Sequence, residues 1–110
     1  MHHLDPKTRN AADLALDCYK HCHGMAMTHC LKVGGAHAEP DHLRLMAACA
    51  EICRTTAHLL LMDSVHGRHM ARECAEVCEA CATDCARVGD MDSCVAACRA
   101  CAKACAALAA

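Results

Sequence analysis

Apolar and polar positions follow each other along this chain with the period of an α-helix. From residue 74 the apolar marks are cysteines, Cys74, Cys78, Cys81 and Cys85, with Glu73, Glu76, Glu79, Asp84 and Arg87 between them. The spacing returns as Cys94, Cys98, Cys101 and Cys105, with Arg99 and Lys103 between, so both runs read C-x3-C-x2-C-x3-C. At about 100° per residue, positions i, i+4, i+7 and i+11 fall within an arc of roughly 60°. Each run is therefore one stripe on one helix, thiols on one side and charges on the other. The two copies mark two similar helices, too few for a solenoid.

Punctuation divides the chain into four such segments. Asp5-Pro6 sets a capping side chain before a proline at the first helical position. Gly34-Gly35 ends that helix, Glu39-Pro40 opens the next, Asp63 and Ser64 are caps for a third with Gly67 a weak point near its start, and Gly89-Asp90 separates the third from the fourth. The predicted helices cover about residues 6–33, 40–62, 65–88 and 91–108 of one domain spanning 1–110. Short connections make neighbours antiparallel, so the expected fold is all-α, an up-down-up-down four-helix bundle. Strands are not expected, because β-branched and aromatic residues are scarce.

Composition changes what such a bundle has for a core. The 110 residues include ten Leu, five Val, one Ile, no Phe and no Trp, against 24 Ala, 13 Cys and 7 Met. So few large aliphatics suggest a disordered chain, but a net charge of −2 argues against disorder. The sulfurs must then supply the core. The charge balance offers no basic surface for nucleic acid, and there are no stacking aromatics for single strands. No uncharged apolar run is long enough to cross a membrane. No apolar segment of a signal peptide stands at the N-terminus, so the expected compartment is the cytoplasm. There thiols stay reduced or bind metal.

The other two helices carry the same stripe with substitutions. On the first it holds Cys18, Cys22, Met25 and His29; on the second, Cys49 and Cys53 lie with His42, Met46, Thr56 and Leu60. Cys30 falls about 100° from the first stripe's centre. Stacked antiparallel, the helices collect Met25, His29, Cys30, His42, Met46, Cys85, Met91 and Cys94 at one end, and Leu14, Leu59, Leu60, Met62, Met70 and Leu108 at the other. The expected shape is a thiol-lined tube, its mouth rich in Met and His and its far end plugged with hydrocarbon. His2, His3, His21, His23, His37, His58, His66 and His69 read as surface residues, and Thr56 as a hydroxyl bonded back to its own helix.

The pattern selects among metals. A structural zinc site takes four ligands, commonly from loops, and would leave nine cysteines idle. Iron–sulfur clusters also take four cysteines each, and neither run ends in the Cys-Pro of ferredoxins. Long stripes with neighbouring thiols about 4–6 Å apart suit many small ions in a row. Cu(I) is soft, accepts two-thiolate coordination and shares bridging thiolates, which permits about one ion per cysteine.

The runs Cys74 to Cys85 and Met91-Asp92-Ser93-Cys94 to Cys105, with Cys18-x3-Cys22 and Cys49-x3-Cys53, resemble the bacterial copper storage proteins, which are cysteine-rich four-helix bundles. The resemblance covers nearly the whole chain. It implies a core filled with Cu(I) on thiolates, a tetrameric assembly and, absent a leader, the cytosolic type. It also places Met25, His29, His42, Met46 and Met91 at the loading end by position.

The leading expectation is thus non-catalytic storage or buffering of several Cu(I) ions per chain. The twelve stripe cysteines bind them, with Cys30, Met25, His29, His42, Met46 and Met91 as further metal-ligand candidates. The alternative is a thiol-based redox or metal-sensing module, with Cys30 as the accessible reactive thiol it requires; zinc or iron–sulfur binding ranks below both.

Overall fold

In a computed structural model, which describes residues 4–109, the chain forms four long helices packed antiparallel in a rod of 45 × 22 × 19 Å. His2 and His3, expected at the surface, lie outside the described residues. Helix α1 (Pro6–Met25) begins where Asp5 Oδ1 accepts the backbone N–H of Thr8 at 3.0 Å, with Pro6 at the first helical position. It passes into a π-helical segment, Ala26–Cys30, and ends with Leu31–Val33. Gly34 and Gly35, both at positive φ (73° and 56°), turn the chain. Helix α2 (Pro40–Leu61) follows, then α3 (Gly67–Val88) and α4 (Asp92–Ala109).

The fourth helix is shifted by one residue at each end from the sequence expectation, and two further boundaries differ for local reasons. Ser64 Oγ accepts from the His66 backbone N–H at 3.1 Å, which holds 64–66 as a turn, so α3 starts at Gly67. A Cβ at Gly67 would stand 3.1 Å from Leu60 Cδ2, so its hydrogen lets the α2–α3 connection close tightly. Met62, expected in the apolar plug, is 66% exposed, because α2 has already ended and Met62 sits at its C-cap. The plug is Ala11, Ala12 and Leu60, covered by Leu61, Ala104 and Leu108.

The core between the helices is made almost entirely of cysteine and alanine. All thirteen cysteines are free and fully buried, together with Met46 and Met91. Small side chains allow close helix approach. Thr56 Oγ1 donates to the Met70 carbonyl of α3 at 3.4 Å, so this hydroxyl links two helices instead of bonding within its own.

Candidate metal centre

The four stripes meet on the bundle axis. Sulfurs from different helices approach to 3.5 Å (Cys53–Cys78), 3.6 Å (Cys18–Cys98 and Cys22–Cys98) and 3.7 Å (Cys53–Cys74 and Cys74–Cys101). Along one helix, i,i+4 neighbours lie at 3.9 Å (Cys74–Cys78) to 4.0 Å (Cys49–Cys53). Three quartets have all sulfurs within 4.8 Å of one another: Cys18, Cys49, Cys53 and Cys78; Cys18, Cys22, Cys49 and Cys98; Cys53, Cys74, Cys78 and Cys101.

A metal–thiolate bond of about 2.3 Å sets sulfur–sulfur separations from about 3.8 Å (tetrahedral) to about 4.6 Å (linear). The quartets span that range without helix movement. They also overlap: Cys18 and Cys49 serve two, and so do Cys53 and Cys78. Shared sulfurs are bridging ligands, so the arrangement favours several adjacent ions over one isolated site. Cys81 extends the row from Cys22 at 3.9 Å and leads to Cys85, while Cys105 extends it from Cys101.

Acidities follow from this crowding. Hydrogen bonds from Cys22, then Cys49, Cys85 and Cys98, hold the Cys81 thiol below its ordinary value. Thiols around such an acceptor move the other way: Cys98 is raised through its contacts with Cys18 and Cys22, and Cys78 through Cys101 and Cys18. Burial, then the charges of Cys81, Cys30 and Cys18, pushes Cys94 up to about 12. Most of the row is therefore neutral at pH 7 until a cation displaces its protons.

The mouth departs from the stripe pattern. Thr28 Oγ1 donates to the Gly24 carbonyl at 2.7 Å, the oxygen that an α-helical N–H of Thr28 would take, and the backbone widens to π-helix over Ala26–Cys30. A π turn absorbs one extra residue, so Cys30 falls where residue 29 lies in a continuous α-helix. Cys30 is thus inside the stripe, not beside it. It is fully buried, and burial, then the charge of Cys81, raises its thiol. A buried thiol of raised pKa is the opposite of the accessible low-pKa sensor expected of it.

His29 is displaced by the same turn. Its side chain is 25% exposed, its ring meets His37 edge to face at 5.1 Å, and Nε2 lies 3.6 Å from Asp90 Oδ2. Met25 packs partly buried against the core. Neither joins the other mouth candidates, which converge on Cys30: its Sγ is 3.7 Å from His42 Nε2, 3.8 Å from Met46 Sδ and 3.9 Å from Met91 Sδ. Gly89 (φ 84°) and Asp90 (φ 56°) reverse the chain so that Met91 points inward. His37, expected at the surface, is half-buried and donates through Nε2 to the Gly89 carbonyl at 2.9 Å, tying the two connections at this end together.

One residue was missed. Asp84, expected as a solvated charge, is 22% exposed and accepts from His42 Nδ1 at 2.7 Å. Burial opposes its ionisation, but hydrogen bonds from His42 and Arg87 outweigh that and hold the carboxyl below its usual range. Its spacing carried no signal: Glu73 holds the same position before Cys74 and is exposed.

A profile described as "Copper storage protein" matches residues 5–110. Over 84 residues the chain is 35% identical to an uncharacterized cysteine-rich protein, YhjQ, of Bacillus subtilis, covering 76% of each. The Nmul_A1745 protein from Nitrosospira multiformis superposes with a TM-score of 0.92 at 44% identity, over 94% of both chains. The Cu(I)-bound copper storage protein BsCsp3 superposes with a TM-score of 0.87 at 30% identity, over 94% of this chain and 99% of that one.

Proposed function

The chain belongs to the copper storage protein family, and from that premise we propose that it holds several Cu(I) ions on the thiolates of one cysteine-lined bundle. The observation that carries this is the overlap of the three cysteine quartets. A single zinc site needs no shared sulfurs, whereas contiguous Cu(I) ions require bridging ones. The ligands are Cys18, Cys22, Cys49, Cys53, Cys74, Cys78, Cys81, Cys85, Cys94, Cys98, Cys101 and Cys105. Cys30, His42, Met46 and Met91 form a mixed site at the mouth, with His29 and Met25 outside it.

Storage, not catalysis, is the role. The sulfurs are enclosed between the four helices, which suits retention of ions. Thirteen free thiols need a reducing compartment, which supports the cytoplasm. The whole chain acts as one domain, and assembly into tetramers follows the family resemblance.

Anaerobic titration with Cu(I), with copper per chain measured directly, tests the proposal. Saturation near one ion per cysteine is expected; saturation at one or two ions per chain overturns it.

A further inference from the structure

Resting on the copper reading, we propose that Asp84 is a positioning residue. It fixes the His42 ring so that Nε2 faces Cys30 Sγ, the sulfur that Met46 and Met91 also approach, giving the bundle one nitrogen–sulfur Cu(I) site beside its thiolate row.

Asp84 and His42 come from different helices, α3 and α2, and meet with Oδ2 2.7 Å from Nδ1. The other carboxylate oxygen, Oδ1, accepts from Arg87 Nε at 2.9 Å, one turn along α3. With both oxygens engaged, the carboxylate has one orientation. An ionised carboxylate only accepts, so the proton of a neutral His42 ring resides on Nδ1 and the lone pair on Nε2. That lone pair lies 3.7 Å from Cys30 Sγ, and Met46 Sδ and Met91 Sδ surround the same sulfur at 3.8 and 3.9 Å. His42 is 1% exposed and all three sulfur partners are buried, so water does not compete for the nitrogen.

The donor set is one thiolate, one imidazole and two thioethers. A Cu(I) ion here meets one charged ligand and three neutral ones, whereas an ion in the row meets thiolates only. A carboxylate behind a ligating histidine commonly contributes 10–100-fold in metal affinity by fixing tautomer and orientation.

The experiment follows the His42 ring nitrogens by 15N NMR in the whole chain, first without metal and then during titration with Cu(I) against a competing Cu(I) chelator. In the wild-type apo chain the Nδ1–H tautomer is expected, and Cu(I) shifts Nε2. Asp84→Ala should mix the tautomers and weaken the Cu(I)-dependent His42 shift 10–100-fold, while copper held by the thiolate row stays constant. Asp84→Asn keeps the shape but has one oxygen for two donors; with that oxygen on Arg87 its amide N–H faces Nδ1, so the Nε2–H tautomer should rise and the His42 shift weaken as in the alanine variant, which separates a tautomer effect from a folding defect. The proposal is overturned by an Nε2–H tautomer in the wild type, by a tautomer that Asp84→Ala leaves unchanged, or by a His42 signal that ignores Cu(I) while the row fills. The apo tautomer tests it without copper, so a wild-type chain that takes up no Cu(I) defeats the storage reading separately.

Discussion

Cys53 Sγ and Cys78 Sγ lie 3.5 Å apart across the α2–α3 interface, and both sulfurs belong to the same two quartets. Between them they connect the Cys18–Cys49 group to the Cys74–Cys101 group. With the Cys18–Cys49 pair, which two quartets also share, this pair is one of two bridges that join the row.

Replacing a bridge should cost more copper than replacing an end. Cys78→Ala is expected to lower Cu(I) per chain by more than Cys105→Ala, because it removes a ligand from two quartets. The apo fold should tolerate it, losing about 1 kcal/mol for a small buried void. Copper analysis of each variant after anaerobic loading and gel filtration decides; equal losses would count against a bridged cluster.

The π segment rests on a hydroxyl. Nothing lies within 4 Å of a Cβ built on Gly24, so Gly24→Ala fits and removes backbone freedom just before the π segment. Thr28→Val removes the hydroxyl that takes the Gly24 carbonyl. Combined, they should restore α-helical register, turn Cys30 outward and return residue 29 to the stripe. Alkylation of the apo chain, read by mass spectrometry, should then modify Cys30 ahead of the stripe cysteines. A Cys30 still as protected as Cys22 would show that other contacts hold the π turn.

Alkaline pH should loosen the apo protein. Cys94 is raised from an ordinary value of 9.0 to about 12, so the folded state favours the neutral thiol. Its contribution is intact below the unfolded pKa and is lost as pH rises towards the folded one, a window of pH 9 to 12. Over that window it declines by about 1.4 kcal/mol per pH unit. Urea unfolding of the apo chain and of Cys94→Ala across the window should give a shallower decline in the variant. Parallel slopes would remove Cys94 as a cause.

Copper should stabilise the fold and release protons as it binds. Because most stripe thiols are protonated at neutral pH, each thiolate ligand formed displaces one proton, so Cu(I) affinity falls as pH falls. Ligand bound only to the native state at 1,000 times its Kd adds about 4 kcal/mol. Thermal unfolding before loading, after loading and after removal by a chelator should rise and return. A loaded chain melting with the apo one would place the copper outside the core.

The sequence by itself determined the helices and the sulfur stripes, because both depend on neighbours a few residues apart. Pro6, Pro40, Gly34 and Gly89 act on the local backbone, and C-x3-C-x2-C-x3-C needs only the helical period to put Cys74 to Cys85 on one face. The tertiary structure decided what those faces meet. Which sulfurs form quartets depends on the axial register of four helices, which no local spacing encodes. Cys30 turned inward because one hydroxyl displaced one N–H and shifted the phase by a residue, a change too small for periodicity to reveal. Asp84 found His42, and Thr56 found Met70, only once α2 and α3 were packed: a polar side chain at the edge of a buried stripe takes the partner that the neighbouring helix brings within reach.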